Sequence, residues 1–207
     1  MPRMIPHPRS VLQRLETEYS LWRHEPIRRV AVRNKVLRPL RTRQFAAFGP
    51  RSFIDRPAWL YGTSHISIGA GVIVLEGAWL AVEKPAWHRE EPVLVIGDRV
   101  AIRTGCTISA ADSIVIEAHV GMGGGVTIID SKHSWAEGNP NVLDGPIDTA
   151  PIRIGQGTWL ADRVTVAAGA DIGMECAIGP NSVVSSMVPD YSIVMGNPGR
   201  VVGSTRS

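Results

Sequence analysis

Among the six histidines of this 207-residue chain, His133 has the surroundings that chemistry needs. It sits in Asp130-Ser131-Lys132-His133-Ser134-Trp135-Ala136-Glu137-Gly138-Asn139-Pro140, the opening of a polar, turn-rich stretch. A neutral imidazole within hydrogen-bond reach of a hydroxyl can take its proton as the oxygen attacks an activated carbonyl. General-base help of that kind is typically worth about 10²–10⁴ in rate. Asp130 could orient such a ring, although three residues along an irregular loop guarantee nothing. Taken by itself, a loop histidine is more often solvated and idle, so the case for His133 depends on what positions it. Cys106 and Cys176 are too few and too far apart for a disulfide framework or a zinc cluster, and they read as inward-facing filler.

The positioning element is a repeat. Aliphatics recur every six residues at Ile96, Ile102, Ile108, Ile114, Val120 and Val126, and again at Ile154, Leu160, Val166, Ile172, Ile178 and Val184. An amphipathic helix would need intervals of three and four, so these segments are not helical. Four residues past each aliphatic comes a small or medium residue, as at Val100, Cys106, Ala118, Thr158, Val164, Ala170, Cys176 and Ser182. Each hexad therefore predicts one short strand and one corner, and three hexads make a triangular coil. A single coil cannot bury its own face, so coils must stack. A less regular early coil is marked by Ile68, Val74 and Leu80, with Gly69 and Gly77 at corners. The period fails twice: over residues 83–92, which read as an exposed loop, and between Val126 and Ile154, where about 22 residues are inserted beyond one hexad. A regular coil has no cavity, so a loop thrown out of it is the natural place for a site.

The residues around that second break resemble the hexapeptide-repeat O-acetyltransferases, in particular the galactoside, maltose and polysaccharide branch. Three stretches carry the resemblance: the repeat itself, Ala150-Pro151-Ile152-Arg153-Ile154-Gly155-Gln156-Gly157-Thr158-Trp159 after the loop, and Gly196-Asn197-Pro198-Gly199-Arg200-Val201 near the end. Together they span roughly residues 60–200. The resemblance implies an all-β, left-handed parallel β-helix and an acyl-CoA-dependent O-acyltransferase. The donor would be acetyl-CoA or another acyl-CoA, with no metal required. His133 would be the general base, and the acceptor a hydroxyl of a sugar, polysaccharide or glycolipid precursor. It places Trp159, Ala161, Pro180, Ser185, Pro198 and Arg200 against coenzyme A, with Arg200 near a phosphate, a role suited to a fixed cation. Arg103 falls where galactoside-type members carry an acceptor-binding asparagine, and Asp130 is the other candidate acceptor contact. A homotrimer with sites between subunits is implied as well. The departures are Gly199 for the usual alanine, Ser186 for a frequent lysine, and Asp162-Arg163 where small residues are common.

Composition sets the outer limits. Hydrophobic content of 44% and charged content of 20% describe a folded globular chain. Its net charge of +3 hides an uneven distribution, because residues 1–56 hold 13 of the 22 Lys and Arg but only Glu16, Glu18, Glu25 and Asp55 on the acidic side. We therefore expect a basic, helical N-terminal extension over 1–56. The β-helix would cover 57–200, with its active-site loop at about 130–151, and a tail 201–207. Ser10 can cap a first helix and Pro26 start a second. The basic face is either solvated or a peripheral contact for an anionic membrane surface. No nucleic-acid-binding module accompanies it. No apolar run is long enough to span a bilayer and no secretory leader is evident, so the expected location is cytoplasmic. Two other functions use the same coil. A γ-carbonic-anhydrase-like zinc enzyme would need three converging histidines, whereas His119 and His133 lack the close pair of that family. A non-catalytic scaffold would need no histidine at all.

Overall fold

The computed structural model describes residues 36–37, 39–134 and 145–206. The helices expected from Ser10 and Pro26, and the loop residues 135–144, lie outside these. Residues 39–44 are helical and lead into a left-handed parallel β-helix. Its first face stacks Ala47–Phe48, Ile66–Ile68, Leu94–Ile96, Ile114–Ile116, Ile152–Ile154 and Asp171–Ile172. The second stacks Phe53–Ile54, Ile73–Val74, Ala101–Ile102, Gly121–Met122, Trp159–Leu160, Ala177–Ile178 and Ser192–Met195, closed by the antiparallel Arg200–Ser204. The third stacks Trp59–Tyr61, Trp79–Val82, Thr107–Ala110, Thr127–Ile129, Thr165–Ala167 and Val183–Val184.

All twelve aliphatics of the repeat are buried, none more than 3% exposed. Each contributes roughly 1.5–3 kcal/mol of burial, and the column is closed at its N-terminal end by Phe45 packed on Phe48. The coil starts earlier than residue 57: Phe48, Ile54 and Leu60 already pair in register with Ile68, Val74 and Leu80. Residues after 200 are likewise no free tail, since they pair back onto Ser192–Met195.

The apparently unbroken series hides a slip. Ile96 stands opposite Ile116, not Ile114, and Ile114 pairs with Leu94. Two extra residues at the Ala110–Ser113 turn move Ile114, Val120 and Val126 onto the other inward position, which is also buried. Every such irregularity falls on one edge of the prism, where the third face turns into the first. Leu80 to Ile96, Ile108 to Ile116 and Ile128 to Ile154 are each longer than the six residues that separate paired positions at the other two edges. At those other edges nearly every corner has a left-handed residue at the same place, glycine at Gly105 and Gly125 but arginine or asparagine at Arg163 and Asn181, the exception being the Ile54–Leu60 corner, which has Pro57 there.

Candidate active site

His133 lies on the irregular edge, in a two-stranded hairpin. Ser131–His133 runs antiparallel to Ile147–Thr149, pairing Ser131 with Thr149, Lys132 with Asp148 and His133 with Ile147. Bonds from Ala150 N–H to Asp130 O (3.0 Å) and from Ser134 N–H to Pro146 O (2.9 Å) close the ladder at both ends. The segment read as an irregular loop is therefore a β ladder, and its exposed histidine is held three residues from the rigid coil.

Asp130 neither orients that ring nor faces an acceptor. Its side chain is fully buried, and its carboxylate accepts backbone N–H bonds from Ala111 (2.7 Å), Asp112 (2.9 Å) and Ser113 (2.8 Å) in the coil above. Burial pushes the carboxyl above the ordinary aspartate range, with those three amides pulling the other way. The corner it holds carries the next coil too, because Ser113 O accepts from Ile152 N–H at 2.9 Å. Asp130 is thus a rivet at the hairpin's root.

Beside the hairpin an open cavity of about 580 Å³ is lined by Ser131, Lys132, Asp148 and Thr149 on one side, and by Ala167 and Ser185 of the following coils on the other. His133 is one ladder position beyond Lys132 and is not among the residues that line the cavity. Ser185 also lines a second hollow of about 200 Å³, walled by Pro198 and Arg200 of the closing turn. Arg200 gives one N–H to Gly199 O (2.9 Å) and is otherwise exposed. The structure therefore gathers Ser185, Pro198 and Arg200, and leads from them to the hairpin.

Trp159, Ala161 and Pro180 do not join them. Trp159 lies exposed on the outside of the second face, the face opposite the hairpin edge, with its ring against Gly121. Ala161 and Pro180 sit at the corner between the second and third faces, as does the exposed Arg103 two coils above Ala161. Asp162 and Arg163 serve that corner: Asp162 accepts from Gly124 N–H (2.6 Å) and Arg163 donates to Asn181 Oδ1 (2.9 Å). Sequence reasoning missed Ser131, Lys132, Asp148 and Thr149 as cavity lining, since only the strand pairing brings them together. His119 occupies a left-handed corner between the first and second faces, away from His133. Among the described residues, no group of three or more His, Cys, Asp or Glu could share a metal ion. Both cysteines are buried, with thiols pushed upward by that burial.

Comparison with known proteins adds a second line. A Mycobacterium tuberculosis protein named a probable acetyltransferase is 33% identical over 127 residues, which are 61% of this chain and 42% of that one. A protein of Escherichia coli K12, by name a lipopolysaccharide biosynthesis O-acetyl transferase, is 28% identical over 117 residues, 53% of this chain and 60% of that one. Among solved structures, a hexapeptide-repeat acetyltransferase of Vibrio cholerae with acetyl-CoA superposes with a TM-score of 0.59 at 21% identity, covering 88% and 89% of the two chains. The chain is similar in part of its sequence to proteins named acetyltransferases, and it shares the fold of a hexapeptide-repeat acetyltransferase. An N-acyltransferase of Bacillus cereus, bound to dTDP and 3-hydroxybutyryl-CoA, shares the fold with a TM-score of 0.67 at 16% identity, over 81% and 87% of the chains. No family model matches the sequence. The chain spans 42% and 60% of the two curated relatives. The corner where Asp162 and Arg163 are fastened to neighbouring coils is one place where the chain departs from the small residues that the resemblance leads one to expect.

Proposed function

We propose that this chain is an acyl-CoA-dependent O-acyltransferase that moves an acyl group, acetyl in the simplest case, to a hydroxyl of a sugar, polysaccharide or glycolipid precursor. The observation that carries the reading is the hairpin: a periodic coil departs from its period to hold His133 exposed on a strand whose preceding residues, Ser131 and Lys132, line an open cavity. In the reaction, the imidazole of His133 takes the hydroxyl proton as the oxygen attacks the thioester carbonyl carbon. The tetrahedral oxyanion then collapses, the carbon–sulfur bond breaks, and the CoA thiolate leaves and recovers a proton from the imidazolium. Orienting two bound substrates contributes a large further share of the rate.

Ser185, Pro198 and Arg200 supply one half of the donor site, Arg200 as the cation for a phosphate. Trp159, Ala161 and Pro180 supply the other half, and Arg103 a nearby acceptor contact. Because the two halves lie on different sides of one prism, each site is built from two copies, which is why we read the protein as a homotrimer with shared sites. The names of the relatives favour acetyl transfer. The hydroxyl rather than an amine is tested by the product: with acetyl-CoA and a panel of sugars and lipid-linked glycans, free thiol should appear, and mild alkali should release the transferred acetyl group. Acetyl that survives alkali on an amino sugar would make this an N-acyltransferase. A zinc-dependent hydratase activity with stoichiometric metal would replace the reading altogether.

A further inference from the structure

The other long break in the repeat lies on the same edge as the hairpin, yet acyl transfer makes no use of it. It carries Trp87, whose indole N–H donates to Val82 O at 2.9 Å. The fixed ring lies parallel to His65 (centroids 6.3 Å, 15°) and meets Tyr61 at 5.2 Å. From Tyr61 the contacts continue to Trp59 at 6.3 Å, and from Trp59 to its in-register neighbour Trp79 at 5.7 Å. These five rings form one band over the outside of the third face. They are no part of the core: Trp59, Trp79 and Trp87 are 49%, 42% and 40% exposed. A contiguous exposed apolar patch marks a binding surface, and rings already held rigid give contact area at little entropic cost.

We propose that this band binds neutral pyranose rings of a carbohydrate chain, whose far end reaches the hairpin cavity. The C–H-bearing face of a pyranose lies flat on an indole, while its hydroxyls stay at the ring edge for polar partners. Such partners follow Trp79 down the same face, where Thr107, Thr127 and Thr165 stand in register. Tyr61 and Ala81 likewise continue through Ser109 and Ile129 to Ala167, which lines the cavity. With strands roughly 4.8 Å apart, the Trp79 row is roughly 14 Å from the Ala167 row, more than one sugar ring can span. Charge favours a neutral ligand over a nucleotide diphosphate: Arg56 and Arg89, flanking the band, are paired with Glu76 and Asp112. Asp112 in turn lies in the corner that Asp130 holds, so the two breaks are tied to one support. Calling the chain an acceptor rests on the acyl-transfer reading; the binding does not.

The test is a titration of the full chain with malto-, cello- and galacto-oligosaccharides, from monosaccharide to hexasaccharide, followed by tryptophan fluorescence and calorimetry. We expect one series to bind, more tightly as it lengthens. Trp79→Ala should weaken it at least about tenfold, with an unchanged melting temperature, and Trp79→Phe should keep most of the affinity. His133→Ala should bind the same sugars as the wild type, whereas a wild type that binds sugar but transfers no acyl group would sink the acyl-transfer reading alone. With an acceptor in hand, Trp79→Ala should raise KM for the long acceptor and leave kcat and the KM for acetyl-CoA alone. No binding by the wild type, equal binding by Trp79→Ala, or a changed oligomeric state in that variant would overturn the proposal. The last result would make the band an interface between copies.

Discussion

Replacing Asp130 by asparagine isolates the rivet from the chemistry. In the wild type, one carboxylate oxygen accepts from Ala111 and the other from both Asp112 and Ser113. An asparagine with its oxygen toward Asp112 and Ser113 keeps two of these bonds and turns an amide N–H₂ toward the N–H of Ala111. One buried donor loses its partner, which costs about 1–3 kcal/mol, and relaxation of the hairpin root sets where in that range it falls. The pH dependence has a definite sign. Because burial raises the Asp130 carboxyl in the folded state, its linkage contribution is full below the ordinary aspartate range and is lost as pH rises through the raised value. The wild type should therefore lose this contribution across that acidic window, and Asp130→Asn should lack that component. Urea unfolding at neutral pH gives the stability change, and amide exchange at Ala111, Asp112 and Ser113 locates it. A variant within about 0.5 kcal/mol of the wild type, with those amides as protected as before, would refute the assignment.

Other consequences can be measured directly. Gly121→Ala places a methyl 2.7 Å from a Trp159 ring carbon, so the ring must move; we expect altered Trp159 fluorescence and a raised KM for acetyl-CoA with the fold kept. Thr158→Val should cost about 1–3 kcal/mol, because Thr158 Oγ1 donates to Gly173 O and accepts from Cys176 N–H in the buried column. Cys106 and Cys176 should resist thiol reagents until the chain unfolds, since their thiols are buried and pushed upward; rapid labelling of the native protein would contradict their placement.

How far the chain could be read beforehand depended on whether a feature repeats. Ile96, Ile102 and Ile154 announce strands because each recurs with its neighbours, and the coil follows. Phe48 and Ile54 belong to the same series but stand isolated among Arg51, Arg56 and Pro57, so the spacing alone does not announce the coil's first turn. The two-residue slip at Ala110–Ser113 was invisible because the other inward position is aliphatic as well. Asp130 could not be assigned from order in the chain, since its partners lie 17 to 19 residues away. Nor could the separation of Trp159 from Ser185 be read, because it depends on which side of the prism each hexad faces. Short-range pattern carries the architecture, whereas the cavity is made by strand pairing across whole coils.

The central claim is that His133 removes the acceptor's proton. The direct measurement is acetyl-CoA turnover, followed as free thiol with a reactive acceptor, in the wild type and in His133→Ala of equal thermal stability. The rate should fall by about 10²–10⁴ while acetyl-CoA still binds. A fall of less than about tenfold would contradict the claim.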